Sequence, residues 1–330
     1  MRATNQKLRL IYLYKLFLTE TDEQHPLTRA QLTEMLLSRY GIDAERKTFY
    51  DDLSCLQELG ADIAKGEGKG TYFLASRDFE MPELHLLVDA IQSSQFITEK
   101  KSRTLIEKLS SLCSRHEGNQ LKGGVRLARR NKTANEGIFY NIDAIYRAIT
   151  LGHQLSFRYF NWDLQGGKLT RAYRHDGKRY VVSPFAVLWD DEKYYLVAYN
   201  GEAGALRHYR VDKMEDLTPE DKPREGGDLL QSFDSGKYAA QHFGMYGGKL
   251  MDITLRFENK MLGVAVDRFG KEARIRPDGG EHFLLTAEVT VSPQFFGWLF
   301  SLEDTVELIA PDEAVTQIKT LLATINEVYK

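Results

Sequence analysis

Cysteine is nearly missing from this chain. Cys55 and Cys113 are the two thiols among 330 residues. Two isolated cysteines inside helical patterns make neither a disulfide framework nor a zinc site, and both are expected as small apolar core residues in a reducing compartment. Long hydrophobic runs are missing as well: no stretch approaches the ~18–20 apolar residues that span a bilayer. The start, Met1 to Lys7, leads into an amphipathic segment broken by Lys15, not into the unbroken apolar region of a signal peptide. A soluble, cytoplasmic protein with no membrane partner is expected. An excess of one charge is missing too. The 44 Lys and Arg against 47 Asp and Glu leave a net charge of −3, and residues 1–76 also roughly balance. No bulk field advertises a nucleic-acid partner, so any DNA contact must come from cations placed locally.

Signatures of catalysis are equally scarce. The eight histidines are scattered, and there is no His-Glu-x-x-His pattern, no Gly-x-Ser-x-Gly elbow and no Cys-x-x-Cys pair. His175-Asp176 falls in a polar turn. The glycine-rich stretch 66–70 lacks the Lys-Ser/Thr ending of a phosphate loop, and 244–249 is one residue short of that spacing and runs on into a leucine. The expectation is a protein that is not an enzyme, with no catalytic residues, no metal and no cofactor.

What is present is helical patterning near the start and strand patterning beyond the middle. Residues 8–18 carry Leu10, Ile11, Leu13, Tyr14, Phe17 and Leu18, a helix with a wide buried face. Thr28 and Gln31 form a capping box for a second helix that buries Leu32, Met35 and Leu36 and ends at Gly41. Residues 45–59 form a third, with Phe49, Leu53, Leu56 and Leu59 on one stripe and Arg46, Lys47, Tyr50 and Ser54 largely off it. Residues 62–74 read as two strands around a glycine-rich turn. Three helices and a hairpin predict a winged helix-turn-helix.

Two further helical patterns cover 84–97 and 102–116. Residues 117–137 read as a linker with glycines and a basic cluster of Lys122, Arg126, Arg129, Arg130 and Lys132, and 142–151 as a short helix. Strands are predicted at 154–160, 179–189, 193–199 and 206–211, which suggests a small antiparallel sheet or barrel. Polar residues 219–228, with Pro219, Pro223, Gly226 and Gly227, suggest a boundary. Beyond it, strands and helices intersperse in a compact module ending in a helix at 312–329. No internal repeat is visible.

In this order the pieces resemble bacterial transcriptional regulators with a WYL domain. The stretch Glu45-Arg46-Lys47-Thr48-Phe49-Tyr50-Asp51-Asp52-Leu53 is similar to the R-T-(I/F)-x-R-D-L pattern of their DNA-binding heads, with Asp51 where many carry arginine. Val182 to Trp189 leads to Tyr194-Tyr195-Leu196, which stands for the name-giving W-Y-L with tyrosine in place of tryptophan, and then to Tyr209-Arg210-Val211-Asp212-Lys213-Met214. The part from about Lys249 is similar to the extension that often follows this domain. The resemblance implies an α+β multidomain protein: a winged helix-turn-helix head (1–76), a helical linker and hinge (77–140), a small Sm- or SH3-like β-barrel, the WYL effector-binding domain (141–220), and a C-terminal α+β module (245–330). It also implies a homodimer that couples ligand sensing to DNA binding.

Arg46, Lys47, Thr48 and Tyr50 are the candidates to meet the major groove or its phosphates, with Lys65 and Lys69 of the hairpin beside it. Asp52 is expected in an intradomain hydrogen bond or ion pair. In the middle domain Arg158, Tyr159, Tyr194, Tyr195, His208 and Arg210 are the candidate ligand-binding residues. Cations there suit phosphate and tyrosines suit base stacking, so the expected effector is a nucleotide or single-stranded nucleic acid. The leading expectation is a ligand-responsive regulator of a double-stranded operator. The alternative is a single-stranded nucleic acid or nucleotide sensor whose head serves dimerisation or partner binding.

Overall fold

A computed structural model of the protein describes residues 2–123, 132 and 135–330. They fall into two compact units, Met1–Glu136 and Gly137–Lys330.

The first unit opens with α1 (Arg2–Glu20), β1 (Leu27–Thr28), α2 (Arg29–Tyr40), α3 (Arg46–Glu58), β2 (Ile63–Lys65) and β3 (Thr71–Leu74). The three strands form a small sheet in the order β1-β3-β2. Helix α2 begins where the sequence places it: the Thr28 side chain accepts from the Gln31 amide, the Gln31 side chain accepts from the Thr28 amide, and Gly41 closes the helix at φ +66°. The core draws Leu13, Leu16 and Phe17 from α1, Leu32 and Leu36 from α2, and Phe49, Leu53 and Leu56 from α3.

Two stripes are narrower than their patterns suggested. Ile11 is 61% exposed and Tyr14 also faces outward, because α1 packs along one side only. Leu59 is 76% exposed, since it sits at the C-cap where the chain leaves α3. Cys113 is buried as expected, whereas Cys55 is exposed on α3. Asp52 forms the expected intradomain pair: Arg9 donates Nε to Oδ2 at 2.5 Å and Nη2 to Oδ1 at 3.1 Å, tying α1 to α3. This two-pronged geometry gives the pair direction as well as charge.

Next come α4 (Met81–Ser93), α5 (Glu99–Ser110) and α6 (Arg115–Gly123). Helix α4 starts earlier than its apolar pattern, under a capping box between Glu80 and Glu83. The pattern at 102–116 divides into two helices, and α6 occupies the first part of the expected linker. A local interaction holds the end of this region: Ser114 Oγ donates to Asp22 Oδ2 at 2.5 Å, while the His25 and His116 rings stack 3.7 Å apart. Lys132 is not a solvated charge. Its Nζ donates to the carbonyls of Ile91, Ser94 and Ile97 and to Ser102 Oγ. Arg126, Arg129 and Arg130 of the same cluster lie outside the described residues.

The second unit begins with α7 (Ile138–Leu151), β4 (His153–Gln165), β5 (Lys168–Tyr173), β6 (Tyr180–Asp190), β7 (Lys193–Asn200), β8 (Ala205–Arg210) and β9 (Met214–Pro223). The strands form a curled half-barrel sheet in the order β5-β4-β6-β7-β8, with β9 returning to pair with β4. Irregularities at His153/Leu155 and Ser156/Arg158 of β4, and at Pro184/Ala186 of β6, are where it bends. Two strands of this sheet, β5 and β9, go beyond the four that the sequence pattern predicts. β5 follows Gly166-Gly167, both at positive φ, which turn β4 back on itself. β9 contains Pro219 and Pro223, which the sequence suggests as a boundary; among the described residues β9 pairs with β4 alone, and such an edge strand tolerates proline.

The remainder comprises α8 (Gly227–Gln231), α9 (Ser235–Gln241), β10 (Lys249–Glu258), α10 (Leu262–Phe269), β11 (Arg274–Asp278), β12 (His282–Val291), α11 (Pro293–Phe300), β13 (Val306–Ala310) and α12 (Asp312–Val328). An antiparallel sheet in the order β11-β12-β10-β13 carries a core including Ile253, Leu255, Phe257, Leu285 and Phe295. No helix among the described residues is long and apolar enough to cross a membrane.

The contrast within α3 is testable by urea unfolding of the full chain. Phe49→Ala should cost about 3–5 kcal/mol, the usual loss for a fully buried ring. Leu59→Ala should stay within about 0.5 kcal/mol, as surface changes do.

Candidate functional site

The N-terminus of α3 is a cationic surface built by local sequence. Glu45 occupies the N-cap without a capping side-chain bond, and the first turn holds no acid. Arg46, Lys47 and Tyr50 are exposed and Thr48 is half-buried, while Lys65 and Lys69 are exposed on the hairpin. Arg46, Lys47, Lys65 and Lys69 make no side-chain hydrogen bond or ion pair among the described residues, so their charges are unneutralised. Tyr50 is braced from β3: burial, and then its hydrogen bond to Tyr72, push the Tyr72 hydroxyl above its ordinary pKa.

In the second unit the chemistry gathers in a cleft of about 380 Å³. Its base is aromatic. Tyr180 and Tyr209 line it, packed with Phe157 and Tyr159 in a cluster whose Phe157 and Tyr180 rings stack 5.5 Å apart. Asn200 Nδ2 donates to the Tyr209 hydroxyl at 3.0 Å and fixes that ring. Its walls are cationic, with Arg174, Lys178, Arg179 and Arg207 set against one carboxylate, Glu202.

These cations differ in how far they are already satisfied. Arg179 is a brace, donating to Ser156 Oγ and to the carbonyls of Ser156 and Asp216. Lys178 meets Glu202 at 3.3 Å across open solvent, a pair that contributes little. Arg174 and Arg207 have neither hydrogen bond nor ion pair among the described residues; Arg174 rests 5.9 Å from the Tyr159 ring. The turn carrying Arg174 is strained, with His175 and Asp176 at φ +51° and +52° before Gly177. Non-glycine residues hold that conformation at a cost of about 1–3 kcal/mol each, and they cluster where binding uses the geometry.

Of the six residues expected to bind a ligand, His208 alone lines this cleft. Arg158 is paired with Asp216 and lies over the Tyr173 ring. Tyr194 sits edge-on to Trp189 at 4.6 Å. Tyr159, Tyr195 and Arg210 come together elsewhere: the Arg210 amide donates to the Tyr159 hydroxyl, and the Arg210 guanidinium grips Asp212 at 2.7 Å. Tyr195, paired with Arg210 across the strands, is buried, and burial pushes its hydroxyl up to about 12. The expected polar face of His208 and Arg210 is therefore spent internally. The free cation of that strand is Arg207, one residue away and facing the cleft with Tyr209. A sequence signal for the site existed: Lys168, Arg171, Arg174, Lys178 and Arg179 crowd twelve residues from the start of β5 to the start of β6.

His208 is held neutral. Burial drives its pKa down to about 4, assisted by His242, and Tyr238 Oη lies 2.6 Å from its Nε2.

Comparison with known domains places this cleft. Residues 140–219 match the WYL domain. Residues 249–325 match the WCX domain. The cleft lies within the WYL domain, apart from the strands and α9 that follow it. A solved structure, Proteasome accessory factor B/C (PafBC) of Arthrobacter aurescens, is similar at 18% identity over 96% of this chain and 47% of that one, with a TM-score of 0.29. The chain thus spans about half the length of that structure. No curated protein matches the chain.

A depressed histidine pKa makes stability depend on pH in one direction. Below about pH 6.5 the unfolded chain takes up a proton that folded His208 refuses until about pH 4, so stability falls as pH drops through that window. Urea titrations from pH 7 to 4 should show this loss, about 3 kcal/mol. His208→Gln should flatten the slope relative to wild type.

Proposed function

We propose that the protein is a WYL-domain transcriptional regulator in which residues 1–76 form a winged helix-turn-helix that binds duplex DNA and the basic cleft takes an anionic effector, a nucleotide or short single-stranded nucleic acid. The observation that carries the effector reading is the pair of uncompensated guanidinium groups, Arg174 and Arg207, above the aromatic base of Tyr180 and Tyr209. Guanidinium groups hold phosphate through paired donors, and aromatic rings stack nucleobases. The DNA reading is supported by the exposed Arg46 and Lys47 at the uncapped start of α3, the only long helix of the head opening on consecutive free cations among the described residues. The strand order β9-β4-β6-β7-β8 supports an Sm- or SH3-like barrel for the sensing domain. A homodimer would present two heads to a pseudo-palindromic operator.

Two measurements separate the roles. In gel shifts with the protein's own upstream DNA, Arg46→Ala with Lys47→Ala should weaken duplex binding about tenfold or more and lower the slope of log affinity against log salt by roughly two, about one per lost phosphate contact. Unchanged affinity and slope would remove α3 from the DNA interface. In calorimetric titrations with pyrophosphate and with short oligothymidylates, Arg174→Ala and Arg207→Ala should each weaken binding about tenfold while leaving the duplex gel shift intact. The matching Arg158→Ala substitution, outside the cleft, should do neither.

A further inference from the structure

The cleft wall does not end at His208. A chain of hydrogen bonds runs from it through α9 into the WCX domain. The Tyr238 hydroxyl lies 2.6 Å from Nε2 of His208, and a backbone hydrogen bond with Met245 works against the downward shift of the His208 pKa. The Tyr238 carbonyl accepts from Nδ1 of His242 at 2.7 Å. That leaves His242 Nε2 as acceptor for the Thr290 hydroxyl at 3.2 Å, and Thr290 is a buried residue of β12. The rings are in contact as well: Tyr238 and His242 stack at 4.2 Å, and His208 meets His242 edge-on at 5.0 Å.

Helix α9 is fitted to carry a displacement. Asp234 Oδ1 accepts from the amides of Gly236 and Lys237 and caps its start. The His242 imidazole closes its end. Gln241 donates to Glu288 at 2.5 Å and Lys237 pairs with the same carboxylate at 3.1 Å, so α9 is tied to β12 at a second point besides Thr290. The helix thus touches the cleft through one side chain and the WCX sheet through three. A short capped helix held this way moves with its contacts, because packed interiors shift as units and do not deform continuously.

We propose that His208, Tyr238 and His242 form a relay that couples the basic cleft to β12 of the WCX domain, with Tyr238 as the positioning residue that reports cleft occupancy. The part concerning occupancy rests on the effector reading above; the coupling itself does not. An anion held by Arg207 draws on the strand that carries His208, and the Tyr238 hydroxyl follows the imidazole.

The test uses the histidine-labelled full chain and long-range proton–nitrogen spectra of the rings at pH 7. Thr290→Val, which removes the last hydroxyl of the chain, should shift the His208 ring nitrogens, and the same change in a Tyr238→Phe background should not. A His208 signal unmoved by Thr290→Val, or moved equally in both backgrounds, overturns the relay. Tyr238→Phe keeps the ring and its packing, so a folded protein is retained for the comparison. Pyrophosphate is then titrated. Shifts at His242 in wild type that vanish in Tyr238→Phe support the reporting role, and binding that leaves His242 unmoved overturns it. If pyrophosphate and the oligothymidylates both fail to bind while the Thr290→Val coupling persists, the effector reading fails and the relay stands.

Discussion

Strand β4 is the constraint on which the second unit depends. Its first half hydrogen-bonds β6 along one edge and β9 along the other, and its second half continues into the β5 hairpin. Side chains of one strand alternate between faces, so a one-residue slip would exchange every buried and exposed group along it. Register along β4 therefore places Phe157 and Tyr159 against Tyr180 and Tyr209, and the basic turn after β5 at the rim of the same aromatic cluster. The cleft is a consequence of that pairing.

Charge is then sorted by solvent and by distance. Most cations of the WYL domain are consumed within it: Arg158 by Asp216, Arg171 by Glu215, Arg210 by Asp212, and Arg179 by backbone carbonyls. Arg174 and Arg207, which have no such partner among the described residues, face one cavity. A net charge near zero conceals this, because neutralised pairs contribute nothing to a site while two free guanidinium groups over aromatic rings contribute strongly. The head repeats the pattern. Asp52 neutralises Arg9 in the interior, and Arg46 and Lys47 stay free at the surface.

The two regions are built to different tolerances. The α3 surface consists of exposed side chains on one helix, whereas the cleft is assembled from three strands and a strained turn and is backed by buried imidazoles. Buried polar chains are costly unless every member is satisfied. The path from His208 to Thr290 joins imidazoles and hydroxyls between the WYL and WCX domains, with the Arg268 guanidinium donating to the His242 carbonyl beside it.

Local chemistry was legible in the sequence where one segment decides its own structure. The Thr28–Gln31 capping box, the Gly41 stop, the Phe49-Leu53-Leu56 stripe and the Asp52 pair all follow from spacing along the chain. The hairpin at Gly166-Gly167 is equally local. Leu59 and Cys55 could not be placed from spacing, because exposure near a helix end depends on where the chain turns away. The six ligand candidates are scattered over the sheet for a related reason. Alternation along a strand says which residues share a face, but not whether an arginine on that face finds a carboxylate from a distant strand. Pairing across more than forty residues assigned Arg158 to Asp216 and left Arg174 and Arg207 free, since burial and partnership belong to the packed sheet and not to any one segment.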